Sequence, residues 1–352
     1  MSRKNETPVL IASLLITVGL LGGGVWWFTR NGNLNLGSIP GVEGDSASSN
    51  TSSVSSAPSS TGNTLADVPV PTGLFNYGGS TTWAPIRGTV DPLITQTHSA
   101  FQLRYTDPIG IPPGSGAGIE MLLNNQLSFA QSSRPISPDE RQQAEAQGYT
   151  LKEIPVVLEG IAIAVNPGLP VEGITLDQLR DIYSGQLTNW SQLGGPDLAI
   201  LPVSRSLDGG TVEFFTGTVL GGVTLASTVS IANSTTEALR FVSDNPGSIY
   251  YASAPEVVGQ CTVKPISIGR QPNQLVKPYT DPYVPPENCP AQRNQINSEA
   301  LRSGDYPLTR RLFVIVREDG QLDQQAGEAY ANLLLTQQGQ TLLNQAGFVP
   351  IR

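Results

Sequence analysis

In the stretch "PVSRSLDGGTVEFF" (202–215), Arg205 stands three residues ahead of Asp208, with Gly209, Gly210 and Thr211 next and an amphipathic run behind them. Two earlier stretches share part of that design. "GGSTTWAP" (78–85) carries Thr81 and Thr82, and "PPGSGAGIE" (112–120) carries Ser115 between two glycines. Each places Gly beside Ser or Thr directly before a helix-like segment. A helix start leaves backbone N–H groups unpaired and carries the positive end of the helix dipole. Glycine lets that backbone approach an anion closely, hydroxyls add donors, and a guanidinium fork matches paired oxygens. The chemistry on offer is the capture of a small oxyanion. A single Gly-Ser turn is ordinarily a helix cap. Three of them with an arginine beside one form a more specific pattern. None reads G-x-x-x-x-G-K-[ST], and no G-x-G-x-x-G follows a strand with an acid downstream, so neither an ATPase P-loop nor a dinucleotide fold is indicated.

The 352 residues carry a formal charge of −9, which argues against nucleic acid as a partner but leaves room for a small anion held by local dipoles. With His98 as the one histidine and Cys261 and Cys289 as the two cysteines, the chain has no residue set for a zinc hydrolase. No metal site and no cofactor is expected. A phosphatase would need an activated nucleophile or a metal cluster, and His98 with scattered acids supplies neither.

Several elements must hold these loops in place. "FQLRY" (101–105), "LSFAQSS" (127–133), "EIPVVLEGIAIAVNP" (153–167), "LAILPVSR" (198–205) and "RRLFVIVRE" (310–318) read as strands. "GAGIEMLLNNQ" (116–126), "TLDQLRDIYSG" (175–185) and the opening of "GTVEFFTGTVL" (210–220) read as helices. "TEALRFVSDNPGSIYYAS" (236–253) reads as helix, turn, strand, and 325–351 as two closing helices. Strands alternating with helices mean α/β architecture.

Ahead of this domain, residues 1–30 hold Arg3 and Lys4 and then an uncharged run from Thr7 to Thr29, long enough for one membrane span, with Trp26 and Trp27 at its far end. An uncleaved anchor with the C-terminal bulk outside the cytoplasm is expected, and a cleaved signal segment is the competing reading. Residues 31–72 read as a flexible Ser/Gly-rich linker, with nine serines between Ser46 and Ser60.

The chain from about Phe75 to Ile351 resembles the substrate-binding protein of the Pst-type phosphate ABC transporter. The resemblance rests on segments in order: "GGSTTWAPI", "GSGAGIEMLLNNQLSFAQSSRPIS", "LRDIYSGQLTNWSQLGGPD", "LPVSRSLDGGTVEFF", "SDNPGSIYYAS", "YPLTRRLFVIV" and "LLLTQQGQTLLNQAGFVPI". It implies a two-lobe periplasmic binding protein type II fold, with 73–160 plus 312–352 as lobe 1 and 161–311 as lobe 2, and a phosphate held in the cleft between them. Carried over by position, Thr81, Thr82, Ser115, Ser133, Arg134, Arg205, Gly209, Gly210 and Thr211 fall on the binding site. The resemblance further implies delivery of phosphate to an ABC permease, a monomer, and an extracytoplasmic location.

Two departures bear on selectivity. Well-studied members of the family place an Asp where Ser133 stands; it accepts the proton of HPO4²⁻ and so rejects sulfate, while some branches carry the Ser-Arg form found here. A Ser is expected where Gly209 stands. Asp208, or another acid, is a candidate for the missing proton acceptor; capping the following helix is the alternative. Arg134 either contacts the anion or pairs with an acid. Arg310 and Arg311 either lie near the cleft or brace the crossover. Trp190 is expected to pack under a turn, and His98 to lie on the surface. Cys261 and Cys289 flank a Pro-rich loop, and in an oxidising compartment a disulfide closing it is expected. A membrane-tethered sensor or scaffold, binding another oxyanion or no small ligand, is the other function class that these departures leave open.

Overall fold

A computed structural model of the protein describes residues 62–205 and 210–352. The expected membrane span, most of the expected linker, and Asp208 and Gly209 lie outside the described residues. Among the described residues no helix is long and apolar enough to cross a membrane.

Strands β1 (Gly73–Gly79), β2 (Phe101–Tyr105), β3 (Phe129–Ser132), β4 (Thr150–Val165), β5 (Gly173–Thr175), β6 (Leu201–Arg205), β7 (Ser230–Ala232), β8 (Ser248–Ser253), β9 (Lys264–Gly269), β10 (Leu275–Val276), β11 (Thr309–Glu318) and β12 (Val349–Pro350) alternate with helices. Hydrogen-bonded neighbours run β2-β1-β3-β11-β4-β8-β6-β7. The order follows from side-chain patterning. In β1, Phe75 and Tyr77 point inward while Leu74 is exposed, the period-2 signature of a strand with one face on a core. β4 changes character along its length. Its first residues alternate, but from Ile161 to Val165 it is buried on both faces. There Ile161, Ile163 and Val165 enter one core group with Tyr183, Phe215 and Tyr251, while Ala162 and Ala164 enter another with Val203 and Tyr250.

β4 is thereby shared. Thr150–Gly160 pairs antiparallel with β11, and Ile161–Val165 pairs antiparallel with β8 and β9. On the far side of this crossing a separate core holds Phe75, Tyr77, Phe129, Val314 and Tyr330. Arg310 and Glu159 are direct partners in the β11–β4 register, where the two strands pass from one core to the other.

Helix signals read from the sequence hold well. Leu176–Tyr183 starts on a capping box in which Thr175 accepts from the Gln178 amide and the Gln178 side chain reaches back. The segment 210–220 differs. It is α-helical only over Gly210–Phe215 and widens to a π turn over Thr216–Leu220. The Thr216 hydroxyl donates to the carbonyls of Val212 and Glu213, an internal competitor of the regular ladder. Cys261 and Cys289 form the expected disulfide, with Cα atoms 5.7 Å apart. Trp190 is buried and donates from Nε1 to the Gly247 carbonyl, packing as expected.

One expectation is corrected. The linker is expected to reach residue 72, yet Leu65 and Val68 are buried in the core that holds Phe75 and Tyr330, and the Leu65 amide donates to Gln338 Oε1. The run 62–72 contains enough apolar side chain to dock, unlike the serine tract before it. His98 lies partly exposed at the surface, with Nε2 2.8 Å from the Leu65 carbonyl oxygen. Replacing Leu65 with Ala is expected to lower the unfolding free energy by about 2–4 kcal/mol, measured by denaturant titration. An unchanged midpoint would mean that this segment contributes nothing to the fold.

Candidate anion-binding site

The first loop begins where β1 ends. A Cβ on Gly79 would lie 2.3 Å from the Gln131 carbonyl oxygen, and its φ of +122° suits glycine alone. The chain then turns tightly: the Ser80 amide donates to that same carbonyl (2.8 Å), and Thr81–Trp83 form a 3-10 turn leading into the helix Ala84–Thr97. Trp83 is fully buried and donates from Nε1 to the Ser132 carbonyl, tying this loop to the end of β3.

The second loop opens the helix Ser115–Leu123. Its N-cap is Gly114, with no side chain to satisfy the first amides. A Cβ on Gly118 would sit 2.5 Å from the Gly79 Cα, so this helix start can lie against the first loop only as glycine. Ser115, Ser133 and Ser80 then form a buried hydroxyl chain. The Ser80 Oγ donates to Ser133 Oγ (3.0 Å), the Ser115 and Ser133 hydroxyls lie 3.1 Å apart, and the Ser133 amide donates to Ser115 Oγ.

The third loop arrives from the other core. Arg205 closes β6, and beyond the undescribed residues Gly210 reaches the hydroxyl chain. A Cβ there would lie 2.6 Å from Ser133 Oγ and 2.9 Å from Ser80 Oγ. Arg310, 5% exposed, sits behind both threonines. Its Nε donates to Glu159 Oε2 (2.6 Å), Nη1 to the Gly210 carbonyl (2.5 Å), and Nη2 to Thr82 Oγ1 (3.0 Å) and Thr211 Oγ1 (3.2 Å). Glu159, buried as well, also accepts from Ser253 Oγ (2.5 Å).

A cavity of about 490 Å³ opens in front of these groups; its polar lining is Thr81, Thr82, Arg205, Thr211, Glu159, Ser253 and Glu256. A smaller recess shares Thr81, Arg205, Thr211 and Glu256 and is backed by Thr235, Tyr250 and Tyr251. Arg205 Nε is buried and meets no hydrogen-bond partner among the described residues. A buried unsatisfied donor on a charged group is costly, and an anion in the cavity would satisfy it. Burial pushes the Tyr250 phenol up to about 12, so it stays a neutral hydroxyl. The Glu256 carboxyl is pushed up by burial first and by the nearby Glu159 charge, against the pull of Arg205.

Of the residues expected from sequence, Thr81, Thr82, Arg205 and Thr211 line the cavity, Ser115 and Ser133 belong to the buried hydroxyl chain, and Gly210 packs against that chain. Arg134 takes the acid-pairing role. It holds both Glu140 oxygens and Glu213 Oε1, which raises its guanidinium pKa, Glu140 being the main cause; it is absent from the lining of either cavity. Sequence reasoning did not single out Ser80, Glu159 or Glu256. Ser80 belongs to a loop already marked by its glycines; Glu159 and Glu256 gave no local signal, because only the fold carries them to the cavity.

The first loop and the end of β3 share one polar network, in which Arg87 also reaches the Ser80 carbonyl. Arg87 Nη1 donates to Gln131 Oε1 (2.8 Å), Gln131 Nε2 to the Tyr330 hydroxyl (3.0 Å), and both Tyr330 and Tyr77 hydroxyls donate to Asp91. Burial pushes the Asp91 carboxyl up to about 6, although the two phenols and Arg87 oppose it.

Comparison with known proteins identifies the family. Residues 50–338 match the family described as the PBP superfamily domain, and the chain belongs to that family. The phosphate-binding protein PstS of Staphylococcus aureus (strain bovine RF122 / ET3-1) is 26% identical over 279 residues, 77% of this chain and 76% of that protein. The crystal structure of an ABC-type phosphate transport receptor from Vibrio cholerae superposes with a TM-score of 0.62 at 26% identity, covering 78% of this chain and 99% of that one. A putative phosphate ABC transporter substrate-binding protein with bound phosphate, from Clostridium perfringens, shares the fold with a TM-score of 0.61 at 22% identity, over 80% of this chain and 100% of that one.

The Asp91 network predicts a pH signature. Its folded pKa of about 6 lies above the unfolded value near 3.8, so its contribution is fully present below about pH 4 and is lost as pH rises through about 6. Relative to Asp91→Asn, the wild-type unfolding free energy is expected to fall by about 2 kcal/mol between pH 4 and 7. Parallel stability curves for the two chains would contradict the assignment.

Proposed function

We infer that this chain captures inorganic phosphate outside the cytoplasm and delivers it to an ABC-type permease. Family membership and the phosphate-binding relatives support this reading, and one observation in the chain itself carries it. Arg205 places a buried N–H without a partner among the described residues beside a cavity lined by threonine hydroxyls from two loops. An ion with four oxygens suits such a site, because one guanidinium supplies charge and neutral donors supply directionality. Capture followed by release needs no chemistry on the ligand, so the proposed activity is binding and not catalysis.

The two-lobe division into 73–160 plus 312–352 and 161–311 belongs to this proposal; the separate core groups on either side of the β4–β11 crossing support it. The membrane anchor at 1–30 and the extracytoplasmic location are proposed on the sequence pattern, and the monomeric state on the family resemblance.

Glu256 takes the acceptor role considered for Asp208. It lines the same two hollows as Arg205. A carboxylate there can accept a hydrogen bond from HPO4²⁻, which carries a proton, whereas sulfate offers none and meets like-charge repulsion.

Titration calorimetry of the full chain tests both points. Arg205→Ala is expected to weaken phosphate binding by about 3 kcal/mol, roughly a hundredfold. Glu256→Gln is expected to narrow the preference for phosphate over sulfate by about tenfold or more, near 1.4 kcal/mol. Full affinity in the arginine variant would sink the binding assignment, and an unchanged preference in the glutamine variant would remove Glu256 from selectivity.

A further inference from the structure

We infer that Arg310 is a positioning residue of the anion site: it orients the Thr82 and Thr211 hydroxyls so that both donate their protons to the bound anion. The inference rests on the phosphate-binding reading above. Arg310 is buried, is held on Nε by Glu159, and directs one nitrogen, Nη2, at the hydroxyls of two different loops, 3.0 Å from Thr82 Oγ1 and 3.2 Å from Thr211 Oγ1.

The donor inventory sets the direction of these bonds. Guanidinium only donates, while a hydroxyl has one proton and two lone pairs. Each threonine oxygen must therefore accept from Nη2, which has two N–H groups, one for each. With a lone pair so occupied, the hydroxyl proton is left to point away from the guanidinium, and both threonines line the cavity on that side. Nη1 meanwhile holds the Gly210 carbonyl. The same side chain thus ties the start of the third loop to the first. Because Glu159 lies against the guanidinium, Arg310 adds little net charge to the site, and the guanidinium that lines the cavity is that of Arg205. Arg310 acts through the threonines and does not itself line the cavity.

A double-mutant cycle separates this role from a purely structural one. Removing Arg310 alone strands the buried Glu159 charge. The pair is therefore neutralised together as Glu159→Gln with Arg310→Gln, and Arg310→Lys serves as a second variant that keeps the charge but loses the fork. Calorimetry of the full chain with inorganic phosphate is the readout, in the wild-type background and in Thr82→Val with Thr211→Val. Either change at position 310 is expected to weaken binding at least tenfold in the wild-type background and less than twofold in the valine background. An equal loss in both backgrounds overturns the positioning role while leaving the phosphate site intact. A wild-type chain that gives no heat with phosphate overturns the site and this inference together.

Discussion

A carboxylate and a guanidinium, Glu159 and Arg310, face each other where the two long strands β4 and β11 leave one core and enter the other, and the geometry of the site depends on that pair. Both are almost wholly removed from water. Desolvating two charges is expensive, and the arrangement survives because nearly every polar atom finds a partner: Ser253 on Glu159, and Gly210, Thr82 and Thr211 on Arg310. The pair is weak evidence for stability in itself. Its physical consequence is registration, since the partners it recruits are the backbone and hydroxyls of loops that belong to different cores.

The glycines are the second condition. Gly79, Gly118 and Gly210 occupy points where a Cβ would lie within 2.3 to 2.6 Å of another loop. Three chain segments thereby come close enough for their hydroxyls and amides to share one small volume. In this design charge is rationed. Arg134 is committed to Glu140 and Glu213, and Arg310 to Glu159. Arg205 is left facing the cavity. Among the described residues its Nε meets no hydrogen-bond partner, and neutral threonine hydroxyls lie beside it on the same cavity, an arrangement in which directed hydrogen bonds rather than massed charge would hold an anion.

Much of this was legible in the residues. Strand and helix periodicity located the elements because burial on one face imposes a period of 2 or 3.6, and the capping box at Thr175 marked a helix start by a local rule. The loops around Thr81, Ser115 and Arg205 were legible because Gly with Ser or Thr before a helix is itself a local signal. Glu256 and the β4–β11 pairing of Glu159 with Arg310 were not, since both arise from long-range register. Residues 62–72 were misjudged for the opposite reason: a serine-rich neighbour masked two apolar side chains, Leu65 and Val68, that dock into the core. The role of Arg134 stayed open in sequence because its partners, Glu140 and Glu213, lie on separate elements.

The central claim is that donors from the first and third loops converge on one anion beside Arg205. Crystals of the chain grown with and without phosphate test it most directly. The account predicts tetrahedral difference density with oxygens about 2.7–3.0 Å from the Arg205 guanidinium and from the hydroxyls of Thr81 or Thr211. Phosphate bound elsewhere, with the Arg205 side chain turned out to solvent, would contradict it.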